Sequence, residues 1–404
     1  MLVRIRAHFA TPADQPIVVD HSGVPRFWPS VWLSLRPADQ AAPTVIKALS
    51  HIESLYRYAE TTIGSDSLEA AIAKCDLESL LNALEGYFFA LRNRPPVTAA
   101  TEQRWQAAVR FVVESTQRVV RVTGGVEPLH ALESRVNEFR LSTGPLYVGR
   151  RRNPERVRSL PADVVEALYE ILDPMSPRNP FRDAASRWRV YTIFILMLHQ
   201  GLRRGELLIL PSDAVKRGVD RRTGEVRWWM SVKFNEYEDD PRHSTPSIKT
   251  ATSIRQIPIS EATAAVVNEY VLNHRGKPNH SFLMNSQKRL PLSTERITQI
   301  FPLISGALSE SIRRSLREQT GADSITSHDL RHTCAVVRLN QLLASGVEMN
   351  DAQERLRAFL GWARDSDMPL RYARVVFEHR LASVWNSNFD DRVEILRSIP
   401  ASVK

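Results

Sequence analysis

Apolar residues repeat at helical spacing through the first third of this chain and only later at the two-residue spacing of strands. Between about Ala42 and Arg140, Val45, Ile46, Leu49, Ile52, Leu55 and Tyr56 recur three and four apart, which gathers them on one face of a helix. The segments LESLLNALEGYFFALRN and RWQAAVRFVVESTQRVVRV carry similar stripes, separated by Pro95-Pro96, a pair that stops the preceding helix. An all-helical domain is predicted. Ahead of it, Val3-Arg4-Ile5-Arg6 and Pro16-Ile17-Val18-Val19 form short runs broken by proline, read as strand pieces or an extended arm.

The stretch LSTGPLYVGRRRNPERVRSLP has no sustained period and holds Arg150, Arg151, Arg152, Arg156 and Arg158. It reads as a linker, either a solvated charge run or a basic strap that crosses a nucleic-acid backbone. Beyond about Leu160 the pattern is mixed. ADVVEALYEIL and RWRVYTIFILMLHQ read as helices, the second buried; EVRWWMSVKF and SIRQIPIS read as the two strands of a hairpin with a long polar loop. Helices return in SEATAAVVNEYVLNH, in the run from Ser293 to about Glu318, and in HDLRHTCAVVRLNQLLASG, where Gly346 makes a natural stop. The expected fold class is mostly α with a small β-sheet. Its parts are an N-terminal extension (1–35), a helical domain (36–142), a basic linker (143–160) and a mixed α/β domain with a tail helix (161–404).

Composition narrows the class. The 404 residues are 43% apolar and 25% charged, as in folded domains that dissolve in water, and no segment reaches the roughly 18 to 20 uncharged apolar residues of a membrane span. The first residues alternate charge with apolarity, unlike a secretory signal, so a cytoplasmic protein with no membrane partner is expected. Cys75 and Cys334 are the two cysteines, which form neither a disulfide framework nor a zinc ligand set. A net charge of +9 favours a polyanion such as nucleic acid.

Four separated pieces carry candidate chemistry: GLRRGELLIL at 201–210, KTATSIRQIPIS at 249–260, HDLRHTCAVVRL at 328–339 and LGWARDSDMPLRYA at 360–373. In order and spacing they resemble the tyrosine recombinases, or phage integrases, over roughly residues 160 to 380. The resemblance implies an all-helical core-binding domain joined to an integrase-type catalytic domain. The activity it implies is the cutting and rejoining of DNA through a 3′-phosphotyrosine intermediate, with no cofactor. Double-stranded DNA with a specific recombination site, a synaptic tetramer and accessory recombination proteins are the partners it implies.

Carried over by residue, the resemblance makes Tyr372 the nucleophile, Arg203 and Arg331 the phosphate clamp, and Lys249 the acid that protonates the departing 5′ oxygen. His328 and Trp362 donate to the phosphate, and Glu206 acts in support. Apart from the resemblance, His332 reads as a supporting residue beside His328, and Arg150, Arg151 and Arg152 of the basic linker as the residues that touch DNA if that strap crosses a nucleic-acid backbone. Guanidinium groups suit the charge gathering on phosphate oxygens under attack, and a phenol with a pKa near ~10 needs positioning and a proton acceptor. Tyr372 follows Trp362 by ten residues, one more than in many members.

Plainer readings stand beside these. Arg203 reads as a surface helix-end arginine, Lys249 as a solvated loop lysine with Lys233 as its alternative, and Trp362 as a core side chain. His328 and His332 are spaced like a zinc pair but lack the intervening glutamate of a metalloprotease helix. Leu381, Val384, Trp385 and Phe389 in the tail suggest a helix that packs on its own domain or on a neighbouring protomer. The alternative function is a DNA-binding helper on an inactive recombinase scaffold.

Overall fold

The computed structural model describes residues 2–5, 15–35, 42–64, 66–123, 126–146, 159–242, 246, 248, 251–373 and 376. They fall into two compact units, Met1–Pro154 and Glu155–Lys404. Arg150, Arg151, Arg152, Lys249 and the tail positions Leu381, Val384, Trp385 and Phe389 lie outside the described residues.

In the first unit, β1 (Leu2–Ile5) and β2 (Gln15–Val18) pair antiparallel, with Leu2 opposite Val18. The helices α1 (Phe27–Ser34), α2 (Ala42–Thr62), α3 (Ser67–Lys74), α4 (Leu77–Arg92), α5 (Ala99–Thr123) and α6 (Glu127–Thr143) follow. Leu49, Ile52 and Leu55, read above as one stripe, are fully buried against Phe88, Trp105 and Phe111 from α4 and α5. Val18 joins the same core, so β2 contributes to this unit's interior. Burying side chains of this size stabilises the fold by about 1.5–3 kcal/mol each relative to exposure.

The second unit begins with α7 (Ala162–Leu172) and α8 (Ala184–His199). Every residue from Ile193 to Leu198 is buried, as the apolar run of α8 requires. A sharp turn leads to α9 (Arg204–Ile209) and a three-stranded antiparallel sheet, β3 (Val215–Val219), β4 (Val226–Val232) and β5 (Arg255–Ile259), in the order β3-β4-β5. The sequence reading anticipated β4 and β5 but not β3. Five residue pairs, from Val215–Met230 to Val219–Val226, hold β3 to its neighbour.

Next come α10 (Glu261–Glu269), prolonged by a π-helical turn over Tyr270–His274, and α11 (Thr294–Ala307) and α12 (Glu310–Thr320). The run read from Ser293 to Glu318 thus breaks in two, because Leu308 is extended and the Ser309 side chain caps α12 by accepting from Ile312 N. Last are α13 (Ser327–Ala344), α14 (Met349–Leu360) and helical residues 368–373. A small core of Ala335, Leu339, Ala352, Leu356, Leu360, Trp362 and Tyr372 joins these elements.

Candidate active site

Three segments far apart in the sequence meet around one buried carboxylate. Helix α8 gives way to Gly201, whose φ of +59° turns the chain; a Cβ there would sit 2.6 Å from Leu360 Cδ2 and 3.1 Å from Cys334 Sγ. Glycine is therefore dictated both by the left-handed backbone and by the close approach of two other elements. Two residues on, Arg203 stands extended at the start of α9, and its backbone N donates to Glu206 Oε2 at 2.9 Å. Glu206 thus satisfies an otherwise unpaired N–H at the start of the helix while facing the interior.

Glu206 is completely buried. Its Oε1 accepts from Arg203 Nη1 at 2.5 Å, its Oε2 accepts from Arg255 Nη2 at 3.2 Å, and Arg331 Nη1 lies 3.7 Å from Oε2. Burial works to raise the pKa of this carboxyl, but Arg255, Arg331 and Arg203 outweigh it and hold the group below its ordinary value. Three cations surround one anion, so the cluster keeps positive charge to spare.

Arg331 comes from the first turns of α13, which Thr326 and Asp329 cap reciprocally: Thr326 N donates to Asp329 Oδ2 at 2.8 Å, and Asp329 N to Thr326 Oγ1 at 3.4 Å. It is 3% exposed and donates to the carbonyls of Gly201 and Leu360, the latter at 2.7 Å. Burial and the nearby Arg203 lower its pKa to about 9, with Glu206 opposing, which leaves the guanidinium charged at neutral pH. Arg203 Nη2 reaches the Gly361 carbonyl at 3.2 Å and its Nη1 the Ser253 hydroxyl at 2.9 Å. Both arginines therefore grip the turn that follows α14.

That turn presents Trp362 and Tyr372 to each other. Their rings stack at 5.3 Å and 10°, and the Arg331 Cζ lies 5.8 Å from the Trp362 ring centroid. The Tyr372 hydroxyl forms a short hydrogen bond with His332 Nδ1. His328, one turn earlier on α13 and exposed, meets His332 edge-on at 4.3 Å. Tyr372 is only 1% exposed; burial pushes its phenol above the usual range, Arg331 opposing.

Of the positions singled out in the sequence, Arg203, Glu206, Arg331, His332, Trp362 and Tyr372 are thus brought together, with His328 at the edge. Lys233, the alternative to Lys249, follows β4 and pairs with Glu236 at 2.5 Å. Among the described residues no three His, Cys, Asp or Glu side chains converge as a metal site, and no helix is long and apolar enough to cross a membrane.

The sequence reading missed Arg255, Ser253 and Arg357. Arg255 Nε donates to the Phe359 carbonyl at 2.7 Å and its Nη1 to the Ser253 carbonyl at 2.7 Å. A signal existed, since Arg255 shares the strand face of the buried Ile257 and Ile259. Arg357 Nη1 donates to the carbonyls of Ala363, Arg364 and Ser366 at 2.7, 2.8 and 3.0 Å, pinning the segment ahead of Tyr372.

Gly361 lies where these contacts cross. Its φ is +62°, and a Cβ would come within 2.9 Å of both Ser253 Cα and Arg255 Nη1. Gly361→Ala is therefore expected to destabilise the protein by about 1–3 kcal/mol through backbone strain alone. Thermal unfolding of the variant, compared with an exposed Gly276→Ala control, measures it; equal losses would deny the crowding.

A family model for the phage integrase family matches residues 158–379, more than half of the chain, and the chain belongs to that family. It is accordingly a protein of the site-specific DNA recombinase class. Similar solved structures include the XerA recombinase, at 16% identity with a TM-score of 0.36, covering 84% of this chain and 98% of that one. The XerH site-specific recombinase bound to a palindromic difH substrate in a post-cleavage complex is 12% identical with a TM-score of 0.40, covering 86% and 98%. An integrase from mycobacterium phage Brujita is 14% identical with a TM-score of 0.26, covering 86% and 89%. No curated protein matches the chain.

Proposed function

We propose that the protein cuts and rejoins DNA at a specific site by transesterification, with Tyr372 as nucleophile. The observation that carries this reading is the phenol itself: its hydroxyl is bonded to His332 Nδ1 and its ring is stacked on Trp362, beside two arginines joined through Glu206. The Tyr372 oxygen bonds to the scissile phosphorus and the bond from phosphorus to the 5′ oxygen breaks. The phenolic proton passes to His332, and Lys249 supplies a proton to the departing 5′ oxygen, which leaves as a hydroxyl. The product is a 3′-phosphotyrosine, which a 5′ hydroxyl from a second strand reverses. One phosphodiester is exchanged for another, so the bond energy is kept and no nucleotide is consumed.

Arg203 and Arg331 stabilise the charge that builds on the non-bridging oxygens, where preorganised donors gain most from exclusion of water. Arg331 spends two of its donors on carbonyls out of five on a guanidinium. Trp362 Nε1 adds a neutral donor from the buried side, and His328 a further donor at the rim. Because Tyr372 is sheltered, bound DNA has to draw it toward the phosphate, and assembly of a tetramer on paired sites is the natural trigger. The helical first unit and the basic segment holding Arg150, Arg151 and Arg152 serve in this reading to grip the duplex.

The test is incubation of the full chain, without metal, with nicked duplexes taken from DNA flanking its own gene. A nick beside the cleaved bond lets a short fragment diffuse away and traps the adduct. A detergent-stable species whose DNA-bearing peptide maps to Tyr372 is expected; specific DNA binding with no adduct on any duplex would favour the helper function instead.

A further inference from the structure

The second unit holds another concentration of positive charge, sharing no lining residue with the tyrosine site. A cavity of about 630 Å³ lies between the first turns of α8, residues 286–292 and α11. Arg182, Arg189, Lys288 and Arg296 line it, against the single carboxylate of Asp183. That carboxylate is already engaged: Oδ1 accepts from Ser186 N at 2.8 Å to cap α8, and Oδ2 accepts from Gln287 Nε2 at 3.1 Å.

Arg189 is the anomaly. It is 8% exposed, its hydrogen bond among the described residues is from Nη2 to Ser186 Oγ at 2.6 Å, and its buried Nε has no partner. Other buried arginines of this unit are matched by carboxylates, Arg242 by Asp240 at 2.5 Å and Arg255 by Glu206 at 3.2 Å. A guanidinium removed from water with no carboxylate at ion-pair distance among the described residues is costly, and buried unpaired donors in native proteins call for an explanation. Burial lowers the pKa of Arg189 and the charge of Arg296 adds to that, while Tyr270 and Asp183 oppose.

Two helix starts reinforce the charge. The N-caps of α8 and α11, Asp183 and Ser293, both line the cavity, and the positive ends of helix dipoles favour anions there. The apolar side chains Phe181, Val190 and Ile300 complete the walls, and such a low-dielectric surround strengthens any ionic contact made inside.

We propose that this cavity binds a phosphate group, with Arg189 held at the wall by Ser186 and Arg296 and Lys288 contributing beside it. Guanidinium pairs match the tetrahedral oxygens of phosphate through paired charge-assisted hydrogen bonds. The group has two sources. It is a backbone phosphodiester of bound duplex away from the scissile bond, a source that rests on the recombinase reading, or it is free phosphate, which does not.

Two measurements on the full chain separate the sources, each made on wild type, on Arg189→Gln and on the double variant Arg296→Gln with Lys288→Gln. The double variant keeps the test sound if Arg189→Gln fails to fold. In the first, duplex affinity is followed against salt concentration; loss of one phosphate contact lowers the slope of log K on log salt by about 1. In the second, inorganic phosphate is titrated at fixed ionic strength and thermal unfolding is recorded.

A lowered slope without stabilisation by phosphate assigns the site to the DNA backbone. Stabilisation of wild type by millimolar phosphate, lost in the variants with the slope unchanged, assigns it to the free anion. Variants indistinguishable from wild type in both measurements overturn the proposal. An adduct formed by wild type in that case leaves the Tyr372 chemistry standing; a lowered slope in a protein that forms no adduct does the reverse.

Discussion

Replacing Tyr372 by phenylalanine should abolish the covalent DNA adduct altogether while leaving affinity for the duplex within about threefold of wild type. The change removes one oxygen and keeps the ring that stacks on Trp362 at 5.3 Å, so the fold of the turn is preserved. What is lost is the bond from the phenol to the half-buried His332 Nδ1, and a typical hydrogen bond contributes about 0.5–1.5 kcal/mol. The variant should therefore unfold at a modestly lower temperature, which separates loss of the nucleophile from loss of the fold. His332→Gln should slow adduct formation by about 10²–10⁴, the usual contribution of a positioned acid or base, and should do so more than His328→Gln. Duplexes with a sulfur in place of the bridging 5′ oxygen give a further readout, because a thiolate leaves without a general acid. They should rescue a Lys249→Ala variant and not Tyr372→Phe. An adduct that survives in Tyr372→Phe would mean that another tyrosine attacks.

The contact between His332 and Tyr372 marks where reading a sequence reaches its end. Arg203, Arg331, Trp362 and Tyr372 are visible because each sits in a short motif whose neighbours fix its local geometry: a glycine turn, a capped helix start, a helix end at Gly361. Helix spacing puts residues 328, 331 and 332 of α13 near one another, but which imidazole meets the phenol depends on how the turn after α14 folds back, and that is decided by contacts from Arg203, Arg331 and Arg357. The strand pattern turned Arg255 toward the interior, but its partners could not be read, since Phe359 and Glu206 come from distant segments.

The sheet gives a parallel case. Val215–Val219 has no fully buried residue, so it shows no apolar alternation, and its identity as a strand comes from pairing with β4. Gly218 packs beneath Trp229, whose ring atoms would lie 2.9 Å from a Cβ there. The mostly α class with a small sheet was legible; the edge strand was not, because its hydrogen bonds are made to a neighbour and only Val215 of its side chains packs against the core.

Removing the charge of Glu206 should strongly destabilise the second unit. Glu206→Gln keeps the shape but leaves Arg203, Arg255 and Arg331 facing one another without their common anion. Breaking a buried ion pair by deleting one partner typically costs about 3–5 kcal/mol, and Arg255 and Arg331 are themselves buried, with side chains 7% and 3% exposed. For a unit of this size, a melting point lower by roughly 10 °C follows. The dependence on pH has a definite sign. The Glu206 pKa is lower in the folded protein than its ordinary value of 4.5, so its stabilisation is fully present above that value and is lost as the pH falls through the folded pKa. Wild type should lose stability in acid below about pH 4.5 more steeply than Glu206→Gln, whose curve should be flatter there, and the two should converge as the carboxyl of wild type becomes protonated. Denaturant unfolding of both proteins between pH 7 and pH 3 measures this. If the gap between them stays constant across that range, the three arginines do not depend on the charge of Glu206, and the clamp is held by its bonds to the Gly201, Leu360 and Gly361 carbonyls instead.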